Sequence, residues 1–188
     1  MEQLASHRKY LLGPAVILTA MLAIAGCHQS THPDEKSAVT NSLNSSNLNS
    51  VSVSQDRDKG VMTLSGNVAS DDQKTQAETL AKQAAPDYTI ANEIGVRPPG
   101  DESQARSVSS NLDSAIEDNF KASIKAHKTL DDQSIHCAAK NGTLVLKGTV
   151  KTEAQKKEAA ALAKQVPNVQ QVVNELEVKP GKHSTSAS

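Results

Sequence analysis

Tryptophan is absent from this 188-residue chain, phenylalanine occurs once and tyrosine twice, so any hydrophobic core must be assembled from Ala, Val, Leu and Ile. Chemistry is equally sparse. The six histidines are scattered, and no Cys/His spacing suits a metal. No glycine-rich loop opens a helix after a strand, and no serine stands in a nucleophile-elbow setting. His28 and His32 lie four residues apart and could share a metal only on a helix. No cofactor, metal site or catalytic residue is therefore expected. A net charge of −1 and the lack of aromatics to stack bases also argue against nucleic-acid binding.

What is present is a repeat. Residues 60–98 recur at 142–180 with a constant offset of 82 and 15 identities over 39 aligned positions, so one small folding unit is used twice. The shared residues are mostly glycines, apolar spacers and amides, including Gly66/Gly148 and Asn92/Asn174. Scaffold rather than chemistry is what was duplicated.

In the second copy, residues 134–140 and 143–150 alternate around Asn141-Gly142, the dipeptide of a tight hairpin. The first copy has 51–58, Lys59-Gly60 and 61–68. Leu144, Leu146, Gly148 and Val150 share one face, as do Met62, Leu64, Gly66 and Val68, while Thr143, Lys147 and Thr149 point the other way. One face is expected to be buried and one wet. Gly66 and Gly148, inside the buried stripes, predict a close approach by a helix backbone.

Ser70-x-x-Gln73 and Thr152-x-x-Gln155 read as capping boxes. They open helices whose apolar rows are Ala77, Leu80, Ala81, Ala84 and Ala159, Leu162, Ala163, Val166, and which stop near Pro86 and Pro167. A third strand follows in each copy, over 88–97 and 169–179, with Asn92 and Asn174 among apolar neighbours. A buried amide there must hydrogen-bond backbone nearby. Because strand, helix and strand run in succession, the sheet must be mixed. Upstream of the second hairpin, Leu112, Ile116, Phe120 and Ile124 form a helical stripe with Phe120 in the core. The first copy's counterpart, about residues 34–43, has only Ala38, Val39 and Leu43 to bury before an Asn/Ser run, so the first domain is expected to be the weaker. The fold class is α+β: two tandem αββαβ units, each a three-stranded mixed sheet with two helices on one face. Segment boundaries are 1–26 for a leader, 27–33 for a tether, 34–98 and 108–180 for the domains, 99–107 for a linker and 181–188 for a disordered tail.

The leader carries His7, Arg8 and Lys9 before the apolar run 11–25, too short to span a bilayer comfortably. Ile24-Ala25-Gly26-Cys27 resembles a lipobox, which implies lipidation of Cys27. The resemblance implies an outer-membrane address, since His28 stands where an aspartate would favour inner-membrane retention. The tether to Pro33 reaches at most about 20 Å. Cys137 then has no intrachain partner and reads as a small buried hydrophobe beside Ile135 and Ala139.

The pattern Gly142, Leu144, Leu146, Gly148, Val150, then Leu162-Ala163, then Val172, Asn174, Leu176, Val178 resembles the BON domain. Two such units behind a lipobox are similar to dual-BON lipoproteins of the bacterial outer membrane. The resemblance implies a non-enzymatic, periplasm-facing module that associates with membrane phospholipid and supports envelope integrity under osmotic stress. Residues 33–98 carry net −3 and residues 107–180 net +1, so the second domain is the one expected to approach anionic lipid. Candidate contacts are Lys121, Lys125 and Lys128, which the resemblance points to, and Lys151, Lys156, Lys157 and Lys164 around the second helix, with Lys140 and Lys147 on the wet face. A lipid-anchored adaptor recruiting an envelope protein or peptidoglycan enzyme through its sheet edges is the alternative.

Overall fold

The computed structural model describes residues 32–179. The leader, Cys27, the tether before His32 and the tail from Pro180 lie outside the described residues. In chain order the elements are α1 (Lys36–Ser45), β1 (Val51–Asp56), β2 (Val61–Val68), α2 (Asp71–Ala84), β3 (Thr89–Asn92), β4 (Gly95–Val96), α3 (Glu102–Ala126), β5 (Ser134–Lys140), β6 (Thr143–Val150), α4 (Glu153–Gln165) and β7 (Gln171–Val178). The fold is α+β, with one mixed sheet per repeat: β1 and β5 run antiparallel to β2 and β6, while β3, β4 and β7 run parallel to them.

Asn141 and Gly142 adopt φ of 49° and 84° and close a two-residue hairpin in which Lys140 faces Thr143. The first hairpin differs from expectation. Asp56 already faces Val61, so residues 57–60 form a four-residue loop, held by the Asp56 carboxylate accepting from the Asp58 and Lys59 amides. The third strand of the first copy is also interrupted, as β3 and β4, where β7 is continuous. The break falls at Glu93 and Ile94, directly before Gly95, which stands in place of Glu177, and glycine weakens a strand.

Thr152 and Gln155 form the full reciprocal capping box. At α2, Ser70 caps the Gln73 amide, but the Gln73 side chain accepts from Ala69 instead of Ser70. The close approaches at the two strand glycines come from a strand end, not a helix. A Cβ at Gly66 would lie 2.2 Å from the Ser50 carbonyl oxygen, and one at Gly148 would lie 1.9 Å from that of Ser134, with φ of +120° and +118°. Both positions lie on the central strand, paired with the start of its antiparallel neighbour. The segment read as a linker is shorter than 99–107, because α3 already begins at Glu102.

Each domain buries its own core between sheet and helices. The first holds fourteen buried residues, among them Val39, Leu43, Leu48 and Tyr88, against ten in the second, which contains Ile116 and Phe120. By this measure the first domain is not the poorer one, because Leu48 and Tyr88 supply what α1 lacks. Ala38 is exposed, and so is Leu112, at 40%. The α3 core stripe therefore starts at Ile116.

The faces expected to be wet are partly buried, against each other. Val61, Ala91, Val145 and Val173 form a third cluster between the two sheets, and Thr143 is 1% exposed. The helices lie outside and the sheets meet inside. Side chains of the second domain close the outer edge of β3. Gln171 accepts from the Asn92 amide and donates to the Ile90 carbonyl, as a neighbouring strand would. Thr143 donates to the Asn92 carbonyl at 2.6 Å and Asn141 to that of Glu93 at 2.8 Å. Lys59 pairs with Glu175 and Lys140 with Glu93; Glu93 and Glu175 are equivalent repeat positions, so the contact is roughly reciprocal.

Candidate functional surface and interdomain groove

The lysines singled out above lie on the helical layer of the second domain and around it, and much of their charge is already matched. Lys121 pairs with Glu117 at 3.2 Å, one turn away on α3, and that bond raises its pKa. Lys151 pairs with Asp132 at 2.5 Å, and this bond, with one from Gln133, lowers the Asp132 pKa. Among the described residues Lys125, Lys128, Lys156, Lys157 and Lys164 enter no ion pair. Lys156 sits apart from the others, in a polar cleft with Lys59, Glu175 and Glu177. Of the wet-face alternatives, Lys140 is held by Glu93 and Lys147 lies 3.9 Å from Glu175.

Asn92 and Asn174 occupy equivalent places and make equivalent bonds. Each side-chain amide donates to a carbonyl of the helix above, that of Lys74 or of Lys156, and each side-chain oxygen accepts from the amide two residues on. Asn92 also donates to Glu78. Both asparagines thus tie a strand to a helix. Cys137 is half-buried against the second core, and burial pushes its thiol pKa up, which keeps the nucleophilic thiolate scarce.

Two carboxylates one turn apart on α3 secure the outer edge of β5. Glu117 accepts from the Ala139 amide at 3.0 Å, and Asp113 accepts from the amides of Asn141 and Gly142 at 2.8 and 3.0 Å. The Ala139 bond is the first reason that the Glu117 carboxyl titrates below its usual value. A depressed carboxyl contributes stability above its unfolded pKa and loses it as pH falls through the folded one. In urea unfolding from neutral to acid pH, Glu117→Gln is expected to flatten the acid limb of stability. An unchanged slope would show that this bond contributes nothing.

Sequence reasoning missed a groove of about 660 Å³ between the domains. Its walls are the N-terminal half of α3 (Ala105, Val108, Leu112), Val96 at the end of β4 with Pro98 beyond it, and the 168–170 turn of the second domain. Val108, at 52%, and Leu112 are the large hydrophobic side chains left exposed among the described residues. At the floor, the Lys74 ammonium donates to the Asn141 carbonyl at 2.8 Å and to Gln170 Oε1 at 3.2 Å. Arg97 donates to the Val96 carbonyl, to Ser109 and to the Asn141 side chain. The available signal was the apolar stripe of α3, which continues upstream of the core to Val108 and Ala105.

No helix among the described residues is long and apolar enough to cross a membrane, and no cluster of three metal-ligating side chains occurs among them. The chain is 29% identical over 133 residues to osmotically-inducible protein Y of Escherichia coli (strain K12), matching 71% of this chain and 65% of that one. It therefore spans a little under two thirds of that relative. It is 28% identical over 124 residues to an uncharacterised protein of Anaplasma centrale, covering 66% of this chain and 80% of the relative. Among solved structures, CdsD, a structural protein of the type III secretion system of Chlamydia trachomatis, aligns with a TM-score of 0.30 and 13% identity over 79% of this chain and 63% of that one. The BON domain model matches residues 35–98 and again 112–180, one match for each sheet with its helices, and the chain belongs to the BON domain family.

Proposed function

We propose that this protein is a non-enzymatic lipoprotein of the bacterial envelope, held in the outer membrane and facing the periplasm by acyl chains on Cys27, whose second domain associates with anionic phospholipid during osmotic stress. The observation that carries the lipid contact is the set of lysines on and around the helical layer of the second domain, Lys125, Lys128, Lys157 and Lys164, that form no ion pair among the described residues. The lipobox-like end of the leader and the similarity to an osmotically-inducible protein support the address and the stress role. The end of the tether is fastened close by: the His32 carbonyl accepts from Arg57 Nε, and the Pro33 carbonyl accepts from Tyr88 and Gln55.

Each lysine near an anionic surface contributes about 1 kcal/mol, an attraction that salt screens within a Debye length of about 8 Å at physiological ionic strength. Flotation of the full chain carrying Cys27→Ser with phosphatidylglycerol vesicles is expected to fall as salt rises. Reversing Lys125, Lys157 and Lys164 to glutamate is expected to lower it at least tenfold. Equal recovery with neutral vesicles would remove the lipid contact from this reading. Intact mass of the mature protein is expected to show acylated Cys27 as the first residue.

A further inference from the structure

We infer that the groove between the two domains is a docking site for the C-terminal end of a partner polypeptide, one ending in an aliphatic residue with a free carboxylate. This inference is independent of the membrane reading, which rests on other residues. One wall of the groove, from Asp101 to Ser109, lies between the two family matches, which end at residue 98 and resume at 112. Those first turns of α3 cover no core of their own, yet they hold Val108 and Leu112 out in the groove. Its volume is in the range of sites that take a small ligand or a few residues of a chain.

Charge selects the end of the chain. Lys74 and Arg97 are both half-buried at the floor, and both are hydrogen-bonded only to uncharged oxygens. Neither forms an ion pair with any described carboxylate, and the Arg97 Nε is buried without a partner. Burial lowers the Lys74 pKa, with Arg97 adding to the shift, although Asp71, Glu78 and Asp113 act on it from a distance in the opposite sense. Asp113 also lines the groove, but its two oxygens are taken by the Asn141 and Gly142 amides. Asp71 and Asp101 stand exposed at the rim. A carboxylate is thus favoured beside Arg97, whose buried Nε lacks a partner, and disfavoured near Asp71 and Asp101, where a basic residue earlier in the partner would fit. An extended chain also needs hydrogen-bond partners for its peptide groups, which Gln104 and Asn168 at the edge offer. A bare acyl chain has no use for them.

Fluorescence anisotropy of a labelled peptide ending Lys-Ser-Thr-Val-Leu, titrated with the full chain, tests the site. Saturable binding is expected, weakened at least tenfold by C-terminal amidation and at least fivefold by Arg97→Gln. Val108→Asp, at a half-exposed helix position where folding tolerates it, is expected to weaken binding as much while leaving the melting curve and vesicle flotation in place. Equal binding of the amidated peptide, or no binding by the folded chain, would overturn the proposal. So would displacement in the opposite sense, with decanoate binding in an Arg97-dependent manner and the peptide not binding, which would make the groove an acyl-chain site.

Discussion

Gly148→Ala is expected to destabilise the second domain by about 3–5 kcal/mol, a large share of what a domain of this size possesses. Two causes act together. The backbone sits at φ +118°, where an L side chain is strained, and the new methyl carbon would lie 1.9 Å from the Ser134 carbonyl oxygen. That oxygen belongs to backbone, so relief requires moving the start of β5 away from β6. Separating those strands would also disturb the contact between α3 and the outer edge of β5, through which Glu117 and Asp113 hold the helix. Gly66→Ala should act alike in the first domain, where the Ser50 oxygen is 2.2 Å from the added carbon. Urea unfolding followed by far-ultraviolet circular dichroism reads both. A loss below about 1 kcal/mol would mean that the strand pair can open there without cost, contrary to the geometry.

The duplicated glycines show what was legible in sequence and what was not. Their identity in both copies announced a close approach, and the approach is real. Its source could not be read, because a glycine records that space is missing without recording what fills it. Strand and helix positions were legible because one-sided burial imposes periods of two and 3.6, and the two Asn-centred strands followed from the same rule. Face assignments failed where a second domain supplied the cover. Thr143 reads as a solvent-facing strand residue, yet its hydroxyl satisfies the Asn92 carbonyl across the interface. Gln171, which no sequence pattern singles out, replaces a missing strand at the edge of β3. Leu112 fits the α3 stripe by spacing, but the sheet beneath that helix ends before reaching it. Contacts between separately folded units leave no periodicity in either unit. For the same reason the groove, whose floor pairs Lys74 of one repeat with Asn141 of the other, could not be seen from either repeat alone.

Placing a charge between the sheets separates the roles of the two faces of β6. Val145 belongs to the cluster with Val61, Ala91 and Val173, whereas its neighbour Leu146 belongs to the core of the second domain. Val145→Asp would bury an unpaired carboxylate in the interface, a change costing about 3 kcal/mol or more. The protein can escape that cost by parting the domains, because neither domain core includes Val145. The expected result is two thermal transitions in place of one, a larger radius of gyration by small-angle X-ray scattering, and faster proteolytic cleavage between β4 and α3. Leu146→Asp cannot be relieved in that way and is expected to unfold the second domain while sparing the first. Parting the domains would also release the Lys74 bonds to Asn141 and Gln170 and split the groove. Peptide binding should therefore disappear in Val145→Asp, while vesicle binding, which depends on the outer lysines of a second domain that remains folded, should persist. If Val145→Asp and Leu146→Asp instead gave the same single loss of structure, the sheets would share one core, and the face assignment that defines the groove would be wrong.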